Sequence, residues 1–450
     1  MADVTVLGAG GATVTISLSS TQNAINAQTA VNFVNNLTGL GIVDQRTWSG
    51  SGTLPAPTKV LAGAIVSTPG DVGGLWAQSI SLAVNAPGDS TVIGSQNSNI
   101  TVVSGDGSNL TFGNQAQDGT VFFGDSDSRL VNFAGKADLT VGKGAYILQT
   151  QEGASTRVQP VVNATIVTSD FGGKSGANVI DVNGKATVFA AGSSTVAATI
   201  NATAGELLFV NLNKGSAFIQ GGTANVTVVG NATDMGGRAT VFGGGGRITV
   251  SNGQGEFRGG TAGGNVMFTS TVAGSATLIG GGNGDQLYSM GSGNLLIAGA
   301  GNSTLSGRNA GAGANTFFTG SGETTVFGAG QGGNTYLFSG LGVAQVDGRD
   351  ETAMGKASQN TYINSDTDGN ASIGSSVFIG DFLTGVDKLL LGLSEKAAIT
   401  YFAPDAISSP FGATGGTQVL VSSGAQFFFY DKVGSLGQDI FQTDIINTKV

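Results

Sequence analysis

The stretch Ala276-Thr-Leu278-Ile-Gly-Gly-Gly-Asn-Gly-Asp285-Gln-Leu287-Tyr-Ser-Met-Gly-Ser-Gly-Asn-Leu-Leu296-Ile-Ala-Gly-Ala-Gly-Asn-Ser-Thr-Leu305 sets Leu278, Leu287, Leu296 and Leu305 nine residues apart. Each leucine sits in a short β-type cluster closed by Gly, Ser or Asn. After a slip the cadence resumes at Phe317 and Val326, and after another at Leu337 and Val346. Towards the N-terminus, Val92, Val102, Phe112 and Phe122 recur at intervals of ten. Between these blocks, Ala186-Thr-Val-Phe189, Asn225-Val-Thr-Val-Val229 and Ala239-Thr-Val-Phe242 carry the same pattern.

A strand of three or four residues and a tight Gly-rich turn use about nine or ten residues, so two such units close one coil of about 18 to 20. One coil cannot bury its apolar face alone, but parallel coils stacked about 4.8 Å apart share a continuous interior. Glycine suits the corners, where φ turns positive and the chain passes close to its neighbour. Asparagine before a strand, as in Gly301-Asn-Ser-Thr-Leu305 and Gly333-Asn-Thr-Tyr-Leu337, tolerates the same conformation and stacks its amides in ladders. The pattern predicts an all-β fold: a right-handed parallel β-solenoid (β-roll or β-helix), with a short N-terminal α/β segment and a β-rich C-terminal cap. A hairpin-rich sandwich would show Asn-Gly or Asp-Gly at turn after turn, whereas here such pairs are scattered, as at Asn183-Gly184 and Asn252-Gly253.

Composition agrees with a solenoid and narrows the function. Of 450 residues, 77 are Gly, and charged residues make up 11%. Gly and Pro together stay below the roughly 25–30% of a disordered low-complexity chain. With 19 basic and 29 acidic residues the net charge is −10, which argues against a nucleic-acid partner. The chain has neither Cys nor His, which removes Ser-His and Cys-His nucleophiles, disulfides and nearly all zinc sites. No apolar run reaches the roughly 20 residues that span a membrane. The beginning, Met1-Ala-Asp-Val-Thr-Val-Leu7, lacks the basic and apolar regions of a Sec signal.

The expected organisation is an N-terminal capping or assembly segment (1–89), the repeats (90–350) and a C-terminal secretion or cap region (351–450). In the first, a helix capped by Ser20 or Thr21 carries Ala24, Ala27, Val31 and Val34 on one face and ends at Gly39. Phe33 on this helix, like Phe427, Phe428 and Phe429, is expected in the core. The segment covers an open end of the solenoid or joins one molecule to the next. Trp48 and Trp76 lie outside the repeats.

The string Ile379-x-Asp381-Phe382-x-x-Gly385-x-Asp387-Lys388-Leu389, followed by a strand from Gly415-Gly-Thr417, resembles the C-terminal region of RTX-type proteins exported by type I secretion. The end, Thr443-Asp-Ile-Ile446, is similar to the terminus of such signals. The resemblance covers roughly residues 275–450. It implies an uncleaved export signal, a partnership with the type I secretion machinery, and a β-roll of nonapeptides Gly-Gly-x-Gly-x-Asp-x-apolar-x that binds Ca²⁺. The nearest match to that nonapeptide is Gly280-Gly-Gly-Asn-Gly-Asp285-Gln-Leu287-Tyr, with Asn283 at the fourth position and no Asp in the neighbouring turns.

Asp285 is therefore one candidate Ca²⁺ ligand. Asn364-Ser-Asp366-Thr-Asp368-Gly369 has the alternate-oxygen spacing of a calcium loop, with Ser375 where a bidentate Glu would complete it. Asp125 and Asp127 form a further candidate pair. The competing role for all six residues is that of polar turn residues. No catalytic or cofactor-binding residue is assigned. Asp347, Arg349 and Asp350 are the best acid-base grouping for a β-helix polysaccharide lyase or hydrolase. The function expected is not enzymatic: a structural protein, secreted to the bacterial cell surface or biofilm matrix, that self-assembles as a layer, filament or coat, with Ca²⁺ as a possible aid. The alternative is an adhesin that binds carbohydrate or a surface.

Overall fold

The computed structural model describes residues 2–448 except 97–98, 161–162, 170–175, 192–197, 212–215, 231–236, 272–275, 309–313, 330–332, 339–341, 348–358, 365–375, 403–415 and 431–441. It is a parallel β-solenoid whose regular structure is nearly all β, with one α-helix among the described residues. Two compact units divide the chain, Met1–Thr227 and Val228–Val450.

In the first unit, strands β1 (Ala2–Leu7) and β2 (Thr13–Leu18) form an antiparallel hairpin. Helix α1 (Thr21–Gly39) follows, and Ser20 caps it by accepting the Asn23 N–H at 3.3 Å. The predicted face of Ala24, Ala27, Val31 and Val34 is buried. Beyond the helix, Gly41 takes the left-handed conformation (φ 73°). Phe33 is not core: it lies next to Val34 but about 100° round the helix from it, and is 66% exposed.

Parallel pairing begins at β3 (Val43–Trp48) against β4 (Leu61–Val66), well before residue 90. One interior column runs Ala64, Leu82, Val102, Val121, Leu139, Val158, Ile180, Ile200 and Ile219, one residue per coil and each virtually inaccessible. Each Val, Leu and Ile of this column contributes about 1.5–3 kcal/mol of burial. The ten-residue cadence is right at Val92, Val102 and Phe112, but the fourth interior position is Val121. Phe122 points out of the coil instead, into a cluster with β1, β2 and α1.

That cluster explains the N-terminal segment. Ile65, Ala83, Val103 and Phe122 form a continuous outward column on neighbouring coils, and Val4, Val6, Ile16, Leu18, Ala24, Ala27 and Val31 cover it. The Asn23 amide anchors the start of α1 to the Phe123 carbonyl at 2.9 Å. Hairpin and helix therefore lie along the flank of the coils, where four outward apolar residues need cover.

In the second unit the interior columns are Leu278, Leu296, Phe317, Tyr336, Tyr362, Leu389 and Ile445, and Leu287, Leu305, Val326, Val346, Ile379 and Phe429. Tyr336, one residue before the expected Leu337, takes the inward position and stacks between Phe317 (5.4 Å) and Tyr362 (4.9 Å). Pairing of coils continues past residue 350 through Thr361–Asn364, Ser376–Ile379 and Lys388–Leu391. The C-terminal strands Ala397–Phe402, Gly416–Val421 and Gln426–Tyr430 are antiparallel to one another, and the last also pairs in parallel with Ser376–Ile379. Phe427, Phe428 and Phe429 are buried as expected.

Candidate functional site

The polar side chains of the coils are organised in ladders. Asn294 accepts the Ala276 N–H (2.9 Å), Asn315 the Asn294 N–H (3.0 Å), Asn334 the Asn315 N–H (3.2 Å), Asn360 the Asn334 N–H (3.0 Å) and Asp387 the Asn360 N–H (2.7 Å). A second ladder passes from Ile248 through Asn265 to Asp285. Each rung uses a side-chain oxygen to satisfy a buried N–H that the coil geometry leaves over. The same side chain can also close its own turn: Asn265 both accepts from and donates to the Gly260 backbone, and Asn294 donates to the Gly291 carbonyl at 3.0 Å.

The six candidate calcium ligands fall into this scheme or beyond it. Asp285 is fully buried, and its two oxygens accept four N–H groups: Gly281 (2.7 Å), Gly282 (3.0 Å), Asn265 N (2.9 Å) and Asn265 Nδ2 (2.8 Å). Its lone pairs are occupied by donors, so here it is a ladder terminus. Asp125 accepts the Lys143 N–H (2.7 Å) and Asp127 the Ala145 N–H (2.9 Å). Both belong to outer ladders, in which Asp106 accepts from Asp125 and Asn109 accepts from Asp127. Their charges, after burial itself, help push the nearby Tyr146 hydroxyl well above its ordinary pKa. Asn364 is buried at the end of a strand, whereas Asp366 and Asp368 lie outside the described residues, as do Arg349 and Asp350. Asp347 pairs with Arg308. Among the described residues no three acidic side chains gather as a metal site.

The expected asparagine ladders are present at Asn302 and Asn334, but without a left-handed backbone, since Asn252 is the one non-glycine with positive φ among the described residues; the spacing of the rungs is what sequence reading missed. An Asn or Asp stands two residues before the interior apolar residue in Asn265-Val-Met267, Asp285-Gln-Leu287, Asn294-Leu-Leu296, Asn315-Thr-Phe317, Asn334-Thr-Tyr336, Asn360-Thr-Tyr362 and Asp387-Lys-Leu389. That spacing fixes the register and would have selected Tyr336 over Leu337.

The C-terminal motif forms one structural knot. Asp387 accepts the Leu383 N–H (2.8 Å) across a turn whose Gly385 has φ 80°. Asp444, fully buried, accepts the Gly385 N–H and pairs with Lys388 Nζ at 2.9 Å. Ile445–Asn447 then pairs with Lys388–Leu391. The two quoted strings, more than fifty residues apart, thus meet through one charge pair.

At the other extreme, β3 pairs with β4 on one side, and no backbone hydrogen bond is described along its other edge. Charge on this strand is cancelled locally, because Asp44 accepts from Arg46 (2.7 Å), Thr58 N (2.6 Å) and Thr58 Oγ1 (2.9 Å). Burial alone would raise the Asp44 pKa, but these donors together hold it below the ordinary carboxylate value. Trp48 closes the strand, its indole donating to the Gly52 carbonyl at 2.9 Å.

Compared with known proteins, the chain matches no protein-family model, no curated protein and no solved structure. No helix among the described residues is long and apolar enough to cross a membrane.

Proposed function

We propose that the chain is an extracellular structural protein of the bacterial surface or biofilm matrix, without enzymatic activity, that assembles by strand addition. The observation that carries this reading is β3, six residues long, with no backbone pairing at its second edge among the described residues and with its Asp44 and Arg46 charges paired. Such an edge templates a strand from another molecule. Joining unlike surfaces gives filaments or sheets where the rotation between copies does not close. The net charge of −10 opposes association at low ionic strength, and Ca²⁺ would promote it by screening or bridging acidic surfaces. Export through a type I machinery is supported by the C-terminal resemblance.

Electron micrographs of purified protein with and without Ca²⁺ test the assembly. Filaments or sheets are expected, and Arg46→Glu, which leaves Asp44 and the new carboxylate uncompensated, should suppress them while circular dichroism still reports a folded chain. Wild-type protein that stays monomeric under both conditions, or an Arg46→Glu protein that assembles normally, would count against the reading. Export is tested separately by deleting 376–450: the truncated chain should remain in cells carrying a type I exporter, and its secretion at the normal level would remove that part of the proposal.

A further inference from the structure

The outward column that hairpin and helix cover does not stop at Phe122. Its register continues through Thr140 to Gln159, and on the following coils the aligned outward residues are Asp181, Asn201 and Gln220. The apolar residues lie under α1, and the polar ones begin where α1 begins. Beyond its first turn a cavity of about 690 Å³ opens, with Gln22 of the helix at its rim and Gln159, Asp181, Asn183, Asn201 and Gln220 among its lining.

The chemistry of this groove is specific. Among its described lining residues the one cation and one anion, Arg157 and Asp181, are paired at 2.5 Å, and Asn201 occupies the other Asp181 oxygen at 2.7 Å. The charge is therefore internally neutralised. Gln159, Asn183 and Gln220, all exposed, make no side-chain hydrogen bond among the described residues. Each presents a planar amide with both a donor and an acceptor. Gln159 and Asn183 stand on neighbouring coils, about 4.8 Å apart, close to the length of one pyranose unit, and Gln220 stands two coils beyond Asn183. Among the described residues the lining contains no aromatic. A single carboxylate with both oxygens engaged cannot supply the acid and base of glycoside hydrolysis.

From this we infer that the groove is a binding site for a neutral, linear polysaccharide lying along the coil stack, its hydroxyls read by the amides of Gln159, Asn183 and Gln220. The inference goes beyond the assembly reading and is independent of it. A protein that forms filaments but binds no glycan, or binds glycan as a monomer, separates the two.

Affinity electrophoresis through gels containing soluble neutral glucans, mannans or galactans, with polygalacturonate as the anionic comparison, tests it. Retardation by at least one neutral polymer is expected, with little by polygalacturonate. The double variant Gln159→Ala, Gln220→Ala should weaken that retardation about fivefold or more with an unchanged melting curve, since neither side chain supports the fold. Equal retardation of variant and wild type, preference for the anionic polymer, or migration unaffected by every neutral polymer would overturn the assignment.

Discussion

At the scale of single residues, the coils depend on side chains that stand in for backbone. Removing a rung leaves a buried N–H without an acceptor, which costs about 1–3 kcal/mol. Asn294→Ala should therefore speed hydrogen exchange at the Ala276 amide by one or more orders of magnitude, whereas Asn302→Ala, on the exposed ladder where Asn302 accepts the Glu323 N–H, should change its neighbour little. Equal effects at both sites would mean that the buried ladder is not what protects the coil. Glycines divide in the same way. Gly10 (φ 69°) has open space around its Cα, so alanine there costs only the left-handed penalty of about 1–2 kcal/mol. Gly205 (φ 86°) adds a collision with the Gly184 carbonyl on the neighbouring coil, so Gly205→Ala should lower the denaturation midpoint markedly more than Gly10→Ala.

At the scale of elements, hydrophobic spacing made the solenoid legible, because a repeat of 18 to 20 residues requires an interior that each coil renews. The helix was legible for the same reason, through Ala24, Ala27, Val31 and Val34. What spacing could not show was which of two adjacent apolar residues turns inward. Val121 and Phe122 read alike until the hairpin and helix supply a second apolar environment outside the coil. Phe33 was misplaced by its apolar character, although the stripe of Ala24, Ala27, Val31 and Val34 leaves it about 100° off the buried face. The two aromatics predict opposite behaviour. Phe122→Ala should cost about 3–5 kcal/mol and release the N-terminal segment to limited proteolysis, while Phe33→Ser should stay within about 0.5 kcal/mol of the parent. Proteolysis that leaves the N-terminal segment of Phe122→Ala intact would show that the flank contact is not what holds it. The acidic sites were the least legible: Asp285 resembles the acid of a calcium nonapeptide by spacing, with Asn283 departing from that pattern, and the N–H donors that fill its oxygens become visible once neighbouring coils are aligned.

At the scale of the whole molecule, stability should fail at both extremes of pH. Burial raises Tyr430 from 10.0 to about 12 and raises Tyr146 further. A raised folded pKa contributes stability that is complete below pH 10 and is lost as pH climbs through about 12. Tyrosinate absorbance and the loss of β-type circular dichroism should therefore rise together above pH 10. Titration of all six tyrosines near pH 10 without unfolding would contradict the burial argument. Asp44 has the opposite sign: its lowered pKa contributes above 3.8 and is lost as pH falls below it, so acid should loosen β3 and the Thr58 contact first. The ladders also give the molecule a chemical lifetime. The bond from a backbone N–H to a rung needs only the oxygen of an asparagine, so spontaneous deamidation to aspartate would leave that bond standing, although Asn265 also donates its Nδ2 to Asp285 on the neighbouring coil and an aspartate there would face a second carboxylate. Within its own turn, however, Asn294 donates to a carbonyl, and an aspartate there would set negative oxygen against oxygen. Asp285 and Asp387 escape that clash because their turns offer N–H groups instead. Ageing of this protein should do its damage at rungs whose amide nitrogen is in use, and none at those where aspartate already stands.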